Sequence, residues 1–223
     1  MMEIVADASS DPAPAKHRAS HRSREEYDVE FARIVAFSDG VFAIAITLLV
    51  LSLEVPPHLH GHDLTKAILD QGPSFFAYGV SFAVIGRFWV VHHRFFAEVT
   101  GFDSGLLALN LFYLAWIVLI PFSSALLGDH NGTTQADVVY ALNLAVATLV
   151  GGAMFGYAHR EKLIRPSFAA EYPSGFRSRA LLNASVFLAS IPVAYVAPHY
   201  APYVWVLLFF VRPGRRSGDA QAA

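Results

Sequence analysis

The sequence predicts an all-α integral membrane protein with six transmembrane helices per subunit, and composition and charge placement carry that prediction. Of 223 residues, 55% are hydrophobic and only 15% charged, where an average soluble domain has about 25% charged. The charges are also clustered, leaving long runs almost free of them, as spans joined by short loops require. With six spans placed, every Lys and Arg except Lys66 falls on one side of the membrane. By the positive-inside rule both termini then face the cytoplasm.

Taken in order, residues 1–32 are polar, include "DPAP" and alternate basic with acidic side chains, so they read as a disordered or loosely helical cytoplasmic tail. The following apolar run starts too late and lasts too long for a cleaved secretory signal. Matching apolar runs to the roughly 20 residues that one spanning helix needs places spans near 33–53, 73–93, 104–127, 137–158, 179–197 and 201–212. The last is short, because Arg212 and Pro213 follow "PYVWVLLFFV" at once. Residues 213–223 form a second cytoplasmic tail. Pro121 and Pro192 lie inside apolar spans and predict kinks. The "FSDG" of the first span has no copy in the second half, so symmetry about a pore would have to come from several subunits. There is no cysteine, which excludes disulfides, thiolate metal sites and cysteine nucleophiles. No cluster of nucleophile, base and orienting acid is apparent for an enzyme, and neither a cofactor nor a nucleic-acid partner is expected. The histidines of "HLHGHD", His58 to Asp63, lie in an outer loop and are read as no metal site.

The chemistry concentrates in the first span, "RIVAFSDGVFAIAITLLVLSLEV". Setting Ile44 as reference at about 100° per residue, Thr47, Leu48 and Leu51 all fall within about 60° of it, forming one stripe. Asp39 falls about 140° away, on nearly the opposite face. If the stripe faces a shared axis, Asp39 points into its own subunit, and Gly40 beside it leaves room for a neighbouring helix. A carboxylate at that depth calls for donors. Trp89, His92 and His93 in "RFWVVHHRFF", with Asn110 early in the third span, lie at a similar depth. Two readings follow: a hydrogen-bonded knot of Ser38, Asp39, a histidine and Asn110 that fixes three helices, or a proton relay through an Asp/His pair. The face on which Asp39 sits favours the knot.

These runs, with "NLFYLAWIVLIPF", resemble the prokaryotic relatives of the lysosomal potassium channel known as transmembrane protein 175. The family's Arg-x-x-x-Phe-Ser-Asp signature matches Arg33, Phe37, Ser38 and Asp39. The resemblance implies a homotetramer in a bacterial plasma membrane, a central pore lined by the first helix, and a six-span channel domain over residues 33–212. It also implies a constriction of bulky aliphatic rings, matching Ile44, then Leu48 and Leu51, with Thr47 nearby. No "TVGYG" filter is present. The expected function is passive, potassium-preferring cation conduction through a hydrophobic neck, with K⁺ as the permeant ion. The alternative is a proton- or sodium-coupled secondary transporter built on Asp39 and His92 or His93.

Overall fold

A computed structural model describes residues 15–54, 57–171, 175–197 and 205. The chain divides into two compact units, residues 1–37 and 38–223. Helix α1 runs Ala15–Leu48 and continues as a tighter 3-10 turn over Leu49–Ser52. Within the first unit, residues 15–37 are helical, so the polar stretch read as a tail is helix from Ala15 onward.

After the loop beyond Ser52 comes a short helix, α2, Gly61–Asp70, then α3, Gly72–Ala97. Helices α4 (Ser104–Val118) and α5 (Ile120–Asp129) share one apolar run that breaks at Leu119. The break has a local cause: Pro121 sits in the first turn of α5, where its missing N–H costs nothing, whereas inside a continuous helix it would cost a hydrogen bond and a clash. Then follow α6 (Thr134–Arg160), α7 (Pro166–Glu171) and α8 (Gly175–Val196), the last with Pro192 inside it. Among the described residues, four helical stretches are long and apolar enough to cross a membrane: Glu26–Ser52, Gly72–Ala97, Ser104–Asp129 and Thr134–Arg160; Ala180–Val196 is a shorter apolar helix. The expected sixth span, 201–212, lies outside the described residues except for Trp205.

Helix α6 is the hub, packing against α4, α5 and α8, while α3 packs on α5. Inside a bilayer the lipid is as apolar as leucine, so helix association rests on close packing and polar bonds and not on hydrophobic transfer. Both are visible. A Cβ built at Gly152 of α6 would lie 2.5 Å from the Ala180 Cβ of α8, so only glycine allows these helices to approach so closely. Trp205 is fully buried, donates from Nε1 to the Ser190 hydroxyl at 2.9 Å and tilts against Tyr140 with ring centroids 4.7 Å apart.

Two connections at one end of the helices are zipped together. Thr100 N–H donates to the Leu163 carbonyl at 2.8 Å, Arg165 N–H to the Glu98 carbonyl at 3.0 Å, and the Arg165 guanidinium meets the Glu98 carboxylate at 3.4 Å. Beside them, Asp103 caps α4 by accepting from Leu106 N–H at 2.8 Å and also accepts the Tyr157 hydroxyl at 2.9 Å.

Candidate functional site

From residue 38 onward, α1 presents two opposed faces. Ser38, Phe42, Ala45 and Leu49, spaced four, three and four apart, are buried, which is one stripe of a 3.6-residue helix. Against it, Ile44 is 59% exposed and Leu51 66%. Thr47 and Leu48 are exposed on the same side, and the Thr47 hydroxyl is tied to the Ile44 carbonyl at 2.9 Å, which satisfies its proton within the helix. The 3-10 turn has a consequence for side-chain direction: residues three apart eclipse in it, so Leu51 stays above Leu48 instead of rotating past it. An open cavity of about 450 Å³ adjoins this end, lined by Leu48, Leu51, Glu54, Gln71 and Asp129 among others.

The structure brings the predicted polar residues together in two separate groups. In the first, the Asn110 side-chain amide donates to the Ser38 hydroxyl at 3.0 Å while its carbonyl oxygen meets His92 Nε2 at 2.8 Å. Ser38 and Asn110 are fully buried, and one amide thus ties α1, α4 and α3. The Asn110 oxygen accepts, so His92 carries its proton on Nε2 in this arrangement. The His92 ring stacks on Tyr113 at 5.6 Å and 5°, with Phe42 and Phe96 on its other sides. In the second group, Trp89 Nε1 donates to the Asp39 carboxylate at 2.9 Å, and His93 stacks on the Trp89 ring at 5.4 Å.

Two expectations therefore need correction. Asp39 does not share a knot with a histidine: its donor is the Trp89 indole, because Asp39 is one residue, and so about 100°, round the helix from the inward-facing Ser38. Gly40 makes no close helix contact among the described residues, since none of their atoms lies within 4 Å of a Cβ built on it. The reason is its register, four residues before Ile44, which puts it on the exposed stripe. Arg33 and Phe37 belong to the first unit, where both are exposed.

A further polar group was missed by sequence reasoning. The Ser81 hydroxyl bonds Ser124 at 2.8 Å and Tyr140 at 2.9 Å, and the Asn143 amide donates to Ser123 at 3.0 Å, joining α3, α5 and α6. The available signal was the pair Ser123 and Ser124 following Pro121 inside an apolar run. The run His58–Asp63, expected as loop, enters α2 at Gly61, which puts His62 and Asp63 in its first turn; among the described residues no three His, Cys, Asp or Glu side chains group to hold a metal.

With this geometry in view, residues 33–121 match the family described as endosomal/lysosomal potassium channel TMEM175. A protein called a potassium channel from Streptomyces collinus is 36% identical over 173 residues, covering 75% of this chain and 84% of that protein. This chain belongs to the TMEM175 family. The crystal structure of a protein described as a lysosomal potassium-selective channel TMEM175 homologue from Chamaesiphon minutus superimposes with a TM-score of 0.72 at 30% identity, covering 82% of this chain and 95% of that one. A human protein called an endosomal/lysosomal proton channel TMEM175 is 36% identical over 150 residues, 60% of this chain but only 30% of its own length. The TMEM175 residues on the exposed stripe and those in the two polar groups thus fall within the matched segment.

Proposed function

We propose that this TMEM175 protein is a potassium-preferring cation channel that conducts passively through a hydrophobic neck. It is an integral membrane protein of a channel family and not an enzyme. The neck is made by Ile44, Thr47, Leu48 and Leu51 of the first helices of four identical subunits, each with six spans, both termini cytoplasmic and the assembly in a bacterial plasma membrane. One observation carries the pore assignment. From Gly40 to Leu51 the exposed face of α1 holds only small or aliphatic residues and a threonine, whereas the exposed faces of α3, α4 and α5 carry aromatics, Phe75 and Phe82, Phe112, and Phe122; α6, whose exposed Val139, Leu142 and Leu149 are aliphatic too, is the central packing helix. Rings anchor well against lipid and headgroups, while an aliphatic lining makes a neck that excludes water when narrow and admits a partly hydrated ion when slightly wider. K⁺ sheds water more cheaply than Na⁺, so such a neck prefers it without a carbonyl filter.

Passive conduction is favoured over coupled transport by the pairing seen in the core. A relay needs Asp39 and a histidine within proton-transfer reach; Asp39 is bonded to Trp89 and His92 to Asn110. The test is the reversal potential of the purified protein in a planar bilayer with K⁺ on one side and Na⁺ on the other. The expected result is a shift toward the potassium equilibrium potential without any second gradient. Flux that appears only under a proton or sodium gradient would sink the channel reading.

A further inference from the structure

We propose that helix α2 lies in the lipid–water interface at the end of α3 remote from His92, its apolar side sunk at the acyl-chain boundary, and thereby ties the far end of the pore helix to the bilayer surface. The proposal rests on the reading of this chain as membrane-spanning and goes beyond it.

Helix α2, Gly61–Asp70, has no buried residue. At ten residues it is about 15 Å long, half of what a bilayer crossing needs, so it can lie on the membrane but not span it. Its sides differ. With Leu64 as reference, Ala67 and Ile68 fall at about −60° and 40° and form the apolar side, Lys66, Asp70 and Asp63 fall between about 200° and 260°, and Leu69, at about 140°, lies on the border between them beside Thr65 and His62. Leu64 and Ala67 are half-buried, and α2 packs against α3. Ile68 and Leu69 are left 44% and 73% exposed, a combination of apolar and charged faces that suits an interfacial helix.

Two connections decide what covers that side. A single residue, Gln71, separates α2 from α3, so α2 cannot leave the level at which α3 enters the bilayer. One turn into α3, which is long and apolar enough to cross a membrane, Phe75 is exposed, and Phe82 follows, so α2 leads directly into a span whose exposed side chains suit lipid. Lipid is the occupant that this continuity favours. The same Gln71 donates its side-chain amide to the Glu54 carbonyl, two residues past the 3-10 turn that ends the pore helix. The depth of α2 therefore sets where that helix ends, and the mouth of the pore is held from the membrane surface.

The chain has no cysteine, so single-cysteine spin labels can be placed without altering a background. The full-length protein is reconstituted in phosphatidylethanolamine/phosphatidylglycerol vesicles carrying Ile68→Cys, Leu69→Cys, Lys66→Cys or, as a reference for lipid exposure, Phe82→Cys. Collision with oxygen is compared with collision with a water-soluble nickel chelate. The proposal expects the oxygen-to-nickel ratio at position 68 to exceed that at 66 several-fold, with 69 between them, and to stay below that at 82, which lies about 15 Å further along the span. Equal ratios at 66, 68 and 69 with a lipid-like value at 82 would overturn it while leaving the membrane reading intact. A water-like value at 82 would overturn both. Spin–spin broadening at position 69 that sharpens on dilution with unlabelled protein would overturn it in favour of a contact with a second copy.

Discussion

The two faces of α1 differ from those of a soluble protein's surface helix: aliphatic side chains at 44, 48 and 51 are outside, while the inward face, apolar at Phe42, Ala45 and Leu49, also buries Ser38, which bonds Asn110 and through it His92. In water this would be unstable. In a bilayer an exposed Leu costs nothing, so the exposed face is free to be chosen for conduction, and the inward face must supply the polar bonds that hold the helices. The comparison separates function from stability along one helix. Changes to the outward face should alter ion flow and leave the fold; changes to the inward face should do the reverse.

The largest expected effect comes from breaking the outward face. Ile44→Asn puts an amide into the proposed neck, and each ~1.4 kcal/mol removed from a dewetting barrier raises flux about tenfold. We expect larger currents and a K⁺/Na⁺ reversal potential that moves toward zero, with thermal stability in detergent unchanged. Unaltered current and selectivity in an assembled protein would remove Ile44 from the neck.

Next in size is the inward face. Asn110→Leu removes both the donor to Ser38 and the partner of His92. Interhelical hydrogen bonds in membranes average about 0.6 kcal/mol and reach about 1–2 kcal/mol, so a loss of roughly 1–3 kcal/mol is expected, because His92 and Ser38 are also left short of a partner in the core. Melting temperature should fall while the reversal potential of the surviving channels stays put. A change in selectivity at unchanged stability would mean that the two faces are not separable.

The separation of these faces was legible in the sequence because it follows from helical period alone: 44, 47, 48 and 51 share a direction whatever they touch. That Ser38, Asn110 and a histidine join was legible from their common depth, which also put Trp89 among the donors near Asp39; which donor Asp39 takes was not, since that depends on how neighbouring helices rotate. Asp39 and Ser38 are adjacent, yet one meets Trp89 and the other Asn110. Gly40 was misread for a related reason: a glycine beside a buried polar residue invites a packing role, but its register belongs to Ile44. The break at Leu119 could be anticipated from Pro121, whereas the bond from Ser81 to Ser124 and Tyr140 joins hydroxyls far apart in sequence, of which only the adjacent Ser123 and Ser124 left a mark in the apolar run.

A smaller effect sharpens the contrast between channel and relay. Asp39→Asn keeps an oxygen for the Trp89 indole and removes only the charge. Conduction should persist with its selectivity, measured again as reversal potential, and stability should change by less than for Asn110→Leu. Loss of all flux in a folded, assembled Asp39→Asn protein would instead support a relay.

The smallest effect lies outside the membrane, at Asp103. Its bond from Leu106 N–H, reinforced by the Tyr157 hydroxyl and by Gly105 N–H, holds the carboxyl below its ordinary range. A carboxylate whose folded-state pKa is depressed contributes stability that is fully present above its unfolded value, near 4, and is lost as pH falls through the lower folded value. Asp103→Asn should retain much of the cap, because Asn caps helices about as well as Asp, but it cannot supply a charged acceptor to Tyr157. The variant should therefore melt slightly below the parent at pH 7, and the two curves should converge as pH is lowered below about 4. A gap that stays constant into acid would show that the charge of Asp103 contributes nothing and that the cap geometry alone sets the start of α4.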